Sequence, residues 1–311
     1  MKAFVLEDFD SEPRVRDGLP EPDPGDGQLV VRVQSSSLNP VDAAVVAGSL
    51  RAFADYEFPV ILGRDFSGVV ERTGSGAEFA EGDEVFGFVP ATAPNVRYGA
   101  WAELALVPPG QGTAKPSGVD LAAAGVASVA ALTAMAALDA LEIGNGETFL
   151  IVGATGGVGS FAVQLAKRRG ARVIAPGLPE DEGYLADLGV DHLIDRDGDV
   201  VAQARELESG GVDALLDTVS YSAADFDLFA AALADGGRAA SPTRAAGEGP
   251  GRHNVEASTE NGALEQLARL LADGTLRVSI QQTYSLEDAG AALADLTGKH
   301  TQGKLAISVA R

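Results

Sequence analysis

An apolar run, Leu150-Ile151-Val152, enters the turn Gly153-Ala154-Thr155-Gly156-Gly157-Val158-Gly159-Ser160, which opens directly into Phe161-Ala162-Val163-Gln164-Leu165-Ala166-Lys167. A strand, a glycine-rich turn and a helix, in that order, constrain this chain more than any other feature. Glycines let backbone approach a pyrophosphate closely, and the unpaired N–H groups at a helix start carry partial positive charge toward it. A glycine pattern alone is weak; between a strand and a helix it predicts a dinucleotide site. Ala154, Gly156 and Gly159 fall on the three positions of G-x-G-x-x-G, so alanine replaces the first glycine. The alternative, a turn with a purely structural job, has to explain four glycines in seven residues just where a helix begins.

At 311 residues the chain is long enough for two domains or one large one. Hydrophobic residues make up 46% and charged residues 22%, enough for an ordinary globular core. No run reaches the roughly eighteen apolar residues of a membrane span. The start, Met1-Lys2-Ala3-Phe4-Val5-Leu6-Glu7-Asp8, places acids after a short apolar run and reads as a first strand, so a cytoplasmic protein is expected. There is no cysteine, which excludes disulfides and thiolate zinc sites. His192, His253 and His300 are scattered, and no spacing suggests a metal site of any kind.

The formal charge of −22, from 45 acids and 23 bases, makes nucleic acid and anionic membranes poor partners. Five lysines against eighteen arginines, amid abundant alanine and glycine, fit the bias of a GC-rich genome, with a salt-adapted surface as a second account. An anionic cofactor would need a positive pocket built locally.

The first hundred residues read as short strands, among them Leu29–Gln34, Val69–Arg72 and Glu84–Val89, separated by turns such as Pro22–Gly27 and Thr73–Gly76. That texture favours a compact, partly open barrel. Val119 to Leu141 is alanine-rich and helix-prone, broken by Gly125. After the glycine turn, strands (Ala171–Ala175, His192–Asp195, Val212–Asp217, Gly237–Ala240) alternate with helices (within Pro179–Leu188, Asp199–Glu208, Asp225–Leu233). Alternation of this kind predicts a parallel sheet wrapped by helices on both faces. Leu264–Leu271 is a further helix, and the tail from Tyr284 gives a capped helix and a final strand near Lys304–Val309, expected to return to the N-terminal domain.

Seven pieces in this order resemble the medium-chain dehydrogenase/reductase superfamily, and within it the zinc-free quinone oxidoreductase branch. They are Asn39-Pro40-Val41-Asp42, Gly63-Arg64-Asp65-Phe66-Ser67-Gly68-Val69-Val70, Glu81-Gly82-Asp83-Glu84-Val85-Phe86-Gly87, Leu132-Thr133-Ala134, the glycine turn, Asp217-Thr218-Val219 and Gln302-Gly303-Lys304. The resemblance implies an α/β protein: a GroES-like β-rich catalytic domain, residues 1–118 and 275–311, holding a Rossmann domain, residues 119–274. It also implies a homodimer. Zinc-dependent relatives hold their metal with cysteine and histidine; here the corresponding places carry Asn39 with Asp42, and Arg64 with Asp65. Hydride transfer without a metal follows, to a quinone or another α,β-unsaturated carbonyl.

The cofactor-binding residues implied are Asn39, Thr133, Ala154, Thr155, Gly156, Gly157, Val158, Gly177, Arg196, Thr218 and Ser241. Charge develops on the carbonyl oxygen during reduction, so a nearby donor helps; Asn39 is the candidate catalytic residue, its amide N–H beside the nicotinamide. It is equally a turn-former ahead of Pro40. Asp42 is read as a cap for the following helix or a support for Asn39. Thr133 would offer its hydroxyl to the nicotinamide ribose or amide, or else bond back to its own helix.

Coenzyme choice turns on the end of the second strand after the turn. An acid there would select NAD, but the segment reads Ile174-Ala175-Pro176-Gly177-Leu178-Pro179, with no acid before Glu180. Arg196 stands where relatives carry a residue near the 2′-phosphate, and is otherwise a solvated surface arginine. NADPH is therefore expected, with NADH possible.

Relatives place an aromatic and a basic residue shortly after the Asn-x-x-Asp motif; here Ala43-Ala44-Val45-Val46-Ala47 has neither. Phe53, Tyr56, Tyr98 and Trp101 could supply a substrate pocket or belong to the core. Arg64 and Asp65 are expected to pair with each other. Other functions compatible with the chain are an enoyl-type reductase or tailoring enzyme of secondary metabolism, and a non-catalytic NADPH-binding sensor or interaction protein.

Overall fold

The computed structural model describes residues 1–92 and 96–309. In chain order its strands begin with β1 (Ala3–Leu6), β2 (Arg14–Arg16), β3 (Leu29–Ser37), β4 (Val60–Ile61), β5 (Asp65–Thr73), β6 (Glu84–Phe88), β7 (Leu104–Val107) and β8 (Gly112–Ala114). They continue with β9 (Thr148–Val152), β10 (Arg172–Gly177), β11 (His192–Asp195), β12 (Val212–Asp217), β13 (Leu233–Ser241), β14 (Arg252–Asn254), β15 (Ile280–Ser285) and β16 (Lys304–Ser308). The helices are α1 (Pro40–Val46), α2 (Leu121–Ala124), α3 (Ser128–Ala140), α4 (Gly157–Arg168), α5 (Glu182–Leu188), α6 (Val200–Leu207), α7 (Ala223–Ala230), α8 (Ala263–Ala272) and α9 (Ala289–Gly298). Among the described residues no helix is long and apolar enough to cross a membrane.

The chain forms two compact units. The first comprises residues 1–129, 259–273 and 278–311; the second comprises 130–258 and 274–277. These limits differ from those read off the sequence. Residues 119–129 and 259–273 join the first unit because α2 packs on β3 and β5, and α8 packs on β8.

In the first unit, β2-β1-β4 form a small antiparallel sheet. A seven-stranded sheet runs β15-β16-β3-β5-β6-β8, with β7 also on β3. β3 is long enough to hold β7 along Leu29–Arg32 and β16 along Ser35–Ser37. The chain's last strand thus lies beside one of its first. The apolar half of β3 contributes Leu29, Val31 and Val33 to a core with Phe66, Val70, Val85 and Val107. Its second half, Ser35-Ser36-Ser37, is buried and polar, which requires partners.

The second unit is a six-stranded, all-parallel sheet in the order β11-β10-β9-β12-β13-β14. β9 starts in the middle, two strands are laid down on one side and three on the other. The order reverses between β9 and β12, the place where a doubly wound sheet opens a crevice at its carboxyl edge. β9 is buried at all five positions, as a strand covered on both faces must be.

The sequence places α7 at Asp225–Leu233, but the helix ends at Ala230 and Leu233 opens β13. Parallel pairing of Leu233 with Val212 overrides the helix preference of the alanines before it. The edge strand β14 and strand β15, which contains Tyr284 and Ser285, carry no clear alternation and were not anticipated.

Candidate functional site

In the second unit, β9 ends at Val152 and Gly153 adopts φ +86°, a left-handed conformation that a side chain resists. A Cβ on Gly153 would also lie 2.2 Å from Thr218 Oγ1. The Thr218 hydroxyl donates to Val152 O at 3.0 Å, tying the turn to the end of β12. Gly159 packs α4 onto the strand: a Cβ there would stand 2.2 Å from Gly153 O. Gly156 is different, for its nearest neighbour would be Gly153 O at 3.5 Å. It is the N-cap of α4, and no side chain caps that helix start.

The first-turn amides of Gly157, Val158 and Gly159 thus have neither an intrahelical acceptor nor a side-chain cap. They fit a phosphate anion, with Gly156 leaving room for it. Ala154 and Thr155 are buried within the turn. Thr133, on α3, is buried. Ser241, at the end of β13, is buried with its Oγ 2.8 Å from Thr243 Oγ1.

Gly177 ends β10, and its carbonyl accepts the Arg196 N–H at 3.1 Å. Arg196, the residue after β11, is thereby held by its backbone at the tip of the second strand, with its side chain half exposed. Asp181 is fully buried and turned back on its own loop, Oδ2 accepting from Leu178 N at 2.9 Å.

The first unit holds a second constellation, built by β3, α1, β5 and β16. Asp65, fully buried at the start of β5, accepts from Ser37 Oγ at 2.5 Å and Asn39 Nδ2 at 2.9 Å through Oδ2. Its Oδ1 accepts the Val129 N–H at 2.7 Å, in the first turn of α3. Lys304, only 4% exposed, donates to Asn39 Oδ1 at 2.6 Å and to Leu38 O at 3.0 Å, and lies 3.8 Å from Asp65 Oδ2. Burial pushes the ammonium down from its ordinary value, while Asp65 and Asp42 oppose that shift.

Asn39 caps α1, where Asp42 Oδ2 accepts the Asn39 N–H at 2.8 Å and Pro40 takes the first helical position. Asp42 therefore caps the helix and supports Asn39 together. Both hydrogens of the Asn39 amide have partners inside the fold, Asp65 and Ser37. The residue is only 3% exposed. A donor role toward a substrate oxygen would require one of these bonds to be released.

Arg64 and Asp65 do not pair with each other, contrary to the sequence expectation. Being adjacent on an extended segment, they point to opposite faces. Arg64 instead faces Asp42, Nε to Oδ1 at 3.7 Å, and donates to Ile61 O at 3.0 Å and Pro90 O at 3.2 Å. Burial pushes Asp42 up to about 6, with Arg64 opposing. It pushes the Arg64 guanidinium down.

Of the aromatics, Trp101 is fully buried core, its Nε1 donating to Ser37 O at 3.1 Å. Tyr56 packs edge-on against Phe9 at 5.2 Å. Tyr98 lies under Arg97, 5.6 Å from ring centre to guanidinium. Phe53 is 54% exposed.

Sequence reasoning missed Ser37 and Lys304 as partners of Asn39. Three consecutive serines in a strand that otherwise packs core, running into Asn-Pro, were the available signal.

Comparison with known proteins places this geometry. Residues 25–117 match the family of alcohol dehydrogenase GroES-like domains, and residues 188–307 match the zinc-binding dehydrogenase family. A solved structure of an alcohol dehydrogenase superfamily protein from Novosphingobium aromaticivorans superimposes with a TM-score of 0.87 at 29% identity, covering 100% of both chains. The chain belongs to the medium-chain dehydrogenase/reductase superfamily, and is quinone-oxidoreductase-like. Like other members of that superfamily, it combines a GroES-like unit with a Rossmann unit.

Two curated members of the superfamily show the direction of similarity. The quinone-oxidoreductase homolog of Spinacia oleracea chloroplasts is 35% identical over 181 residues, 56% of this chain and 54% of that protein. The NADPH-dependent alkenal/one oxidoreductase of Arabidopsis thaliana chloroplasts is 32% identical over 202 residues, 63% of this chain and 52% of that protein. The chain spans about half the length of each of these two relatives.

Proposed function

We propose that this chain is an NADPH-dependent oxidoreductase that reduces a quinone or another α,β-unsaturated carbonyl without a metal ion, and that it acts as a homodimer. The observation that carries the reading is the uncapped start of α4 beside Gly156, a phosphate cradle at the switch point of a parallel sheet. The names of the relatives supply the substrate class.

When bound, the nicotinamide supplies the hydride. The chain's part is to hold and orient. Gly156, Gly157 and Val158 would grip the diphosphate, with Ala154 and Thr155 shaping the turn. Gly177 and Arg196 would receive the adenosine end, where the segment from Ile174 to Pro179 carries no acid and an arginine can meet a 2′-phosphate. Thr133, Thr218 and Ser241 remain as contacts proposed for the nicotinamide half. Asn39 serves by fixed position, its amide polarised by Lys304.

Zinc does not fit the first unit's buried cluster. Lys304 and Arg64 already place two cationic side chains among Asn39, Asp42 and Asp65, where a divalent ion would meet repulsion. Among the described residues no group of three or more histidine, cysteine or acidic side chains is arranged to hold a metal.

The test is steady-state loss of nicotinamide absorbance with a panel of quinones, enones and enoyl thioesters. Turnover with NADPH, unchanged by chelators, is expected. Protein that binds NADPH in a calorimeter yet turns over no panel member would refute the reductase reading.

A further inference from the structure

The two oxygens of Asp65 have different jobs. Oδ1 accepts the Val129 N–H at 2.7 Å, one of the amides that a helix start leaves without an intrahelical acceptor. That bond anchors the carboxylate, in a field that favours negative charge. Oδ2 takes two side-chain donors, Ser37 Oγ at 2.5 Å and Asn39 Nδ2 at 2.9 Å. Ser37 and Asp65 are fully buried and Asn39 nearly so.

A carboxylate only accepts. Ser37 must therefore give its single hydrogen to Asp65, which leaves a lone pair on Oγ for the second Asn39 hydrogen, at 3.2 Å. At the other end of the amide, Lys304 Nζ donates to Asn39 Oδ1 at 2.6 Å. The charge at position 65 thus orients one hydroxyl and both amide hydrogens together.

A neutral side chain of the same shape cannot do this. An asparagine at 65 has a single oxygen. Given to Val129, that oxygen leaves an NH2 facing the NH2 of Asn39; given to Asn39, it leaves an NH2 facing the Val129 N–H. Turning the Asn39 amide over relieves the first clash only by pointing its NH2 at the Lys304 ammonium. Every donor in the cluster finds an acceptor only when both atoms at 65 are acceptors.

We propose that Asp65 is a positioning residue for the reduction. Acting through Asn39, and touching neither coenzyme nor substrate, it fixes the direction of the amide that meets the nicotinamide. The role rests on the reductase reading and on Asn39 as the residue beside that ring. With donors on both oxygens, Asp65 holds groups in place and passes no proton.

The test is single-turnover hydride transfer by the whole protein, preloaded with NADPH and mixed with 1,4-benzoquinone, each rate taken per bound coenzyme. Asp65→Asn should bind NADPH within about threefold of the parent and transfer hydride about 100-fold more slowly, the scale of loss from a misplacement of roughly 1 Å. Steady-state KM for the quinone should stay nearly unchanged while kcat falls. A merely structural aspartate would lower the melting temperature and the bound fraction but leave the rate per bound coenzyme at the parent value, and that result overturns the proposal. Added to Asn39→Ala, the Asp65→Asn change should slow transfer by less than about threefold, because the residue it acts through is gone. An undiminished effect in that background overturns the proposal as well. Should Asp65→Asn fail to fold, Ser37→Ala keeps the carboxylate and carries the same comparison, with a loss of about tenfold expected and an unchanged rate per bound coenzyme counting against it. A parent that binds NADPH and reduces no quinone or enone sinks the reductase reading first, and this role with it. A parent that turns over beside an equally fast Asp65→Asn removes the role of Asp65 alone.

Discussion

Lys304 Nζ stands 2.6 Å from Asn39 Oδ1, and this one contact decides which way the amide faces. An ammonium only donates, so the oxygen must point to Lys304 and the NH2 to Asp65 and Ser37. The lysine also neutralises Asp65, which in turn accepts from the first turn of α3. One buried cation therefore orders a strand, two helix starts and an amide.

Replacing Lys304 by methionine removes the cationic partner of buried Asp65 and leaves it only its neutral donors. The expected loss is about 3–5 kcal/mol, the range for breaking a buried pair from one side. The double variant Asp65→Asn with Lys304→Met should lose clearly less than the sum of the two singles. Urea denaturation of the four proteins measures the coupling; strict additivity would mean that the two charges ignore each other.

Two glycines of the same turn should respond differently to alanine. Gly159→Ala forces a methyl to within 2.2 Å of the Gly153 carbonyl, and about 1–3 kcal/mol of stability should go with the strand–helix packing. Gly156→Ala meets nothing nearer than 3.5 Å and should cost about 1 kcal/mol or less. Its effect should fall on the coenzyme, with a Kd for NADPH about tenfold weaker by calorimetry. Unchanged affinity in a folded Gly156→Ala protein would argue against phosphate binding at that helix start.

Asp42 gives the pH dependence a definite sign. Its carboxyl rises from 3.8 in the unfolded chain to about 6 in the fold. Between those values the folded protein holds a proton that the unfolded chain has released. Its contribution to stability is therefore present at the acid end, falls as pH rises through the window, and is gone above the folded value. The stability of the parent minus that of Asp42→Asn, from urea melts between roughly pH 4 and pH 7, should decline. A flat or rising difference would show the carboxyl ionised throughout.

Arg196→Ala should raise the KM for NADPH about tenfold while leaving that for NADH nearly unchanged, the mark of a lost phosphate contact. Equal effects on both coenzymes would assign Arg196 to the surface.

Local periodicity made much of the fold legible. β11 and β12 lie just where alternation and apolar runs put them, and α6 begins after Asp199, whose side chain accepts from Ala202 N. Elements whose stability comes from a distant partner were less visible. β14 is three residues long and exists because β13 lies beside it. The Arg64–Asp65 pairing failed for the same reason, since neighbours on an extended segment face apart while Asp42 and Lys304 are brought in from elsewhere.

The strand, turn and helix of the proposed nucleotide cradle can be read from the sequence, because backbone sterics and helix starts act over a few residues. The sequence likewise determined the lack of any thiolate ligand and, through its motifs, the superfamily. Which buried charges meet is settled by long-range packing. Lys304 reaches Asn39 across 265 residues of chain, and no local rule encodes a contact made when burial forces every polar atom to find whatever partner the packed fold presents.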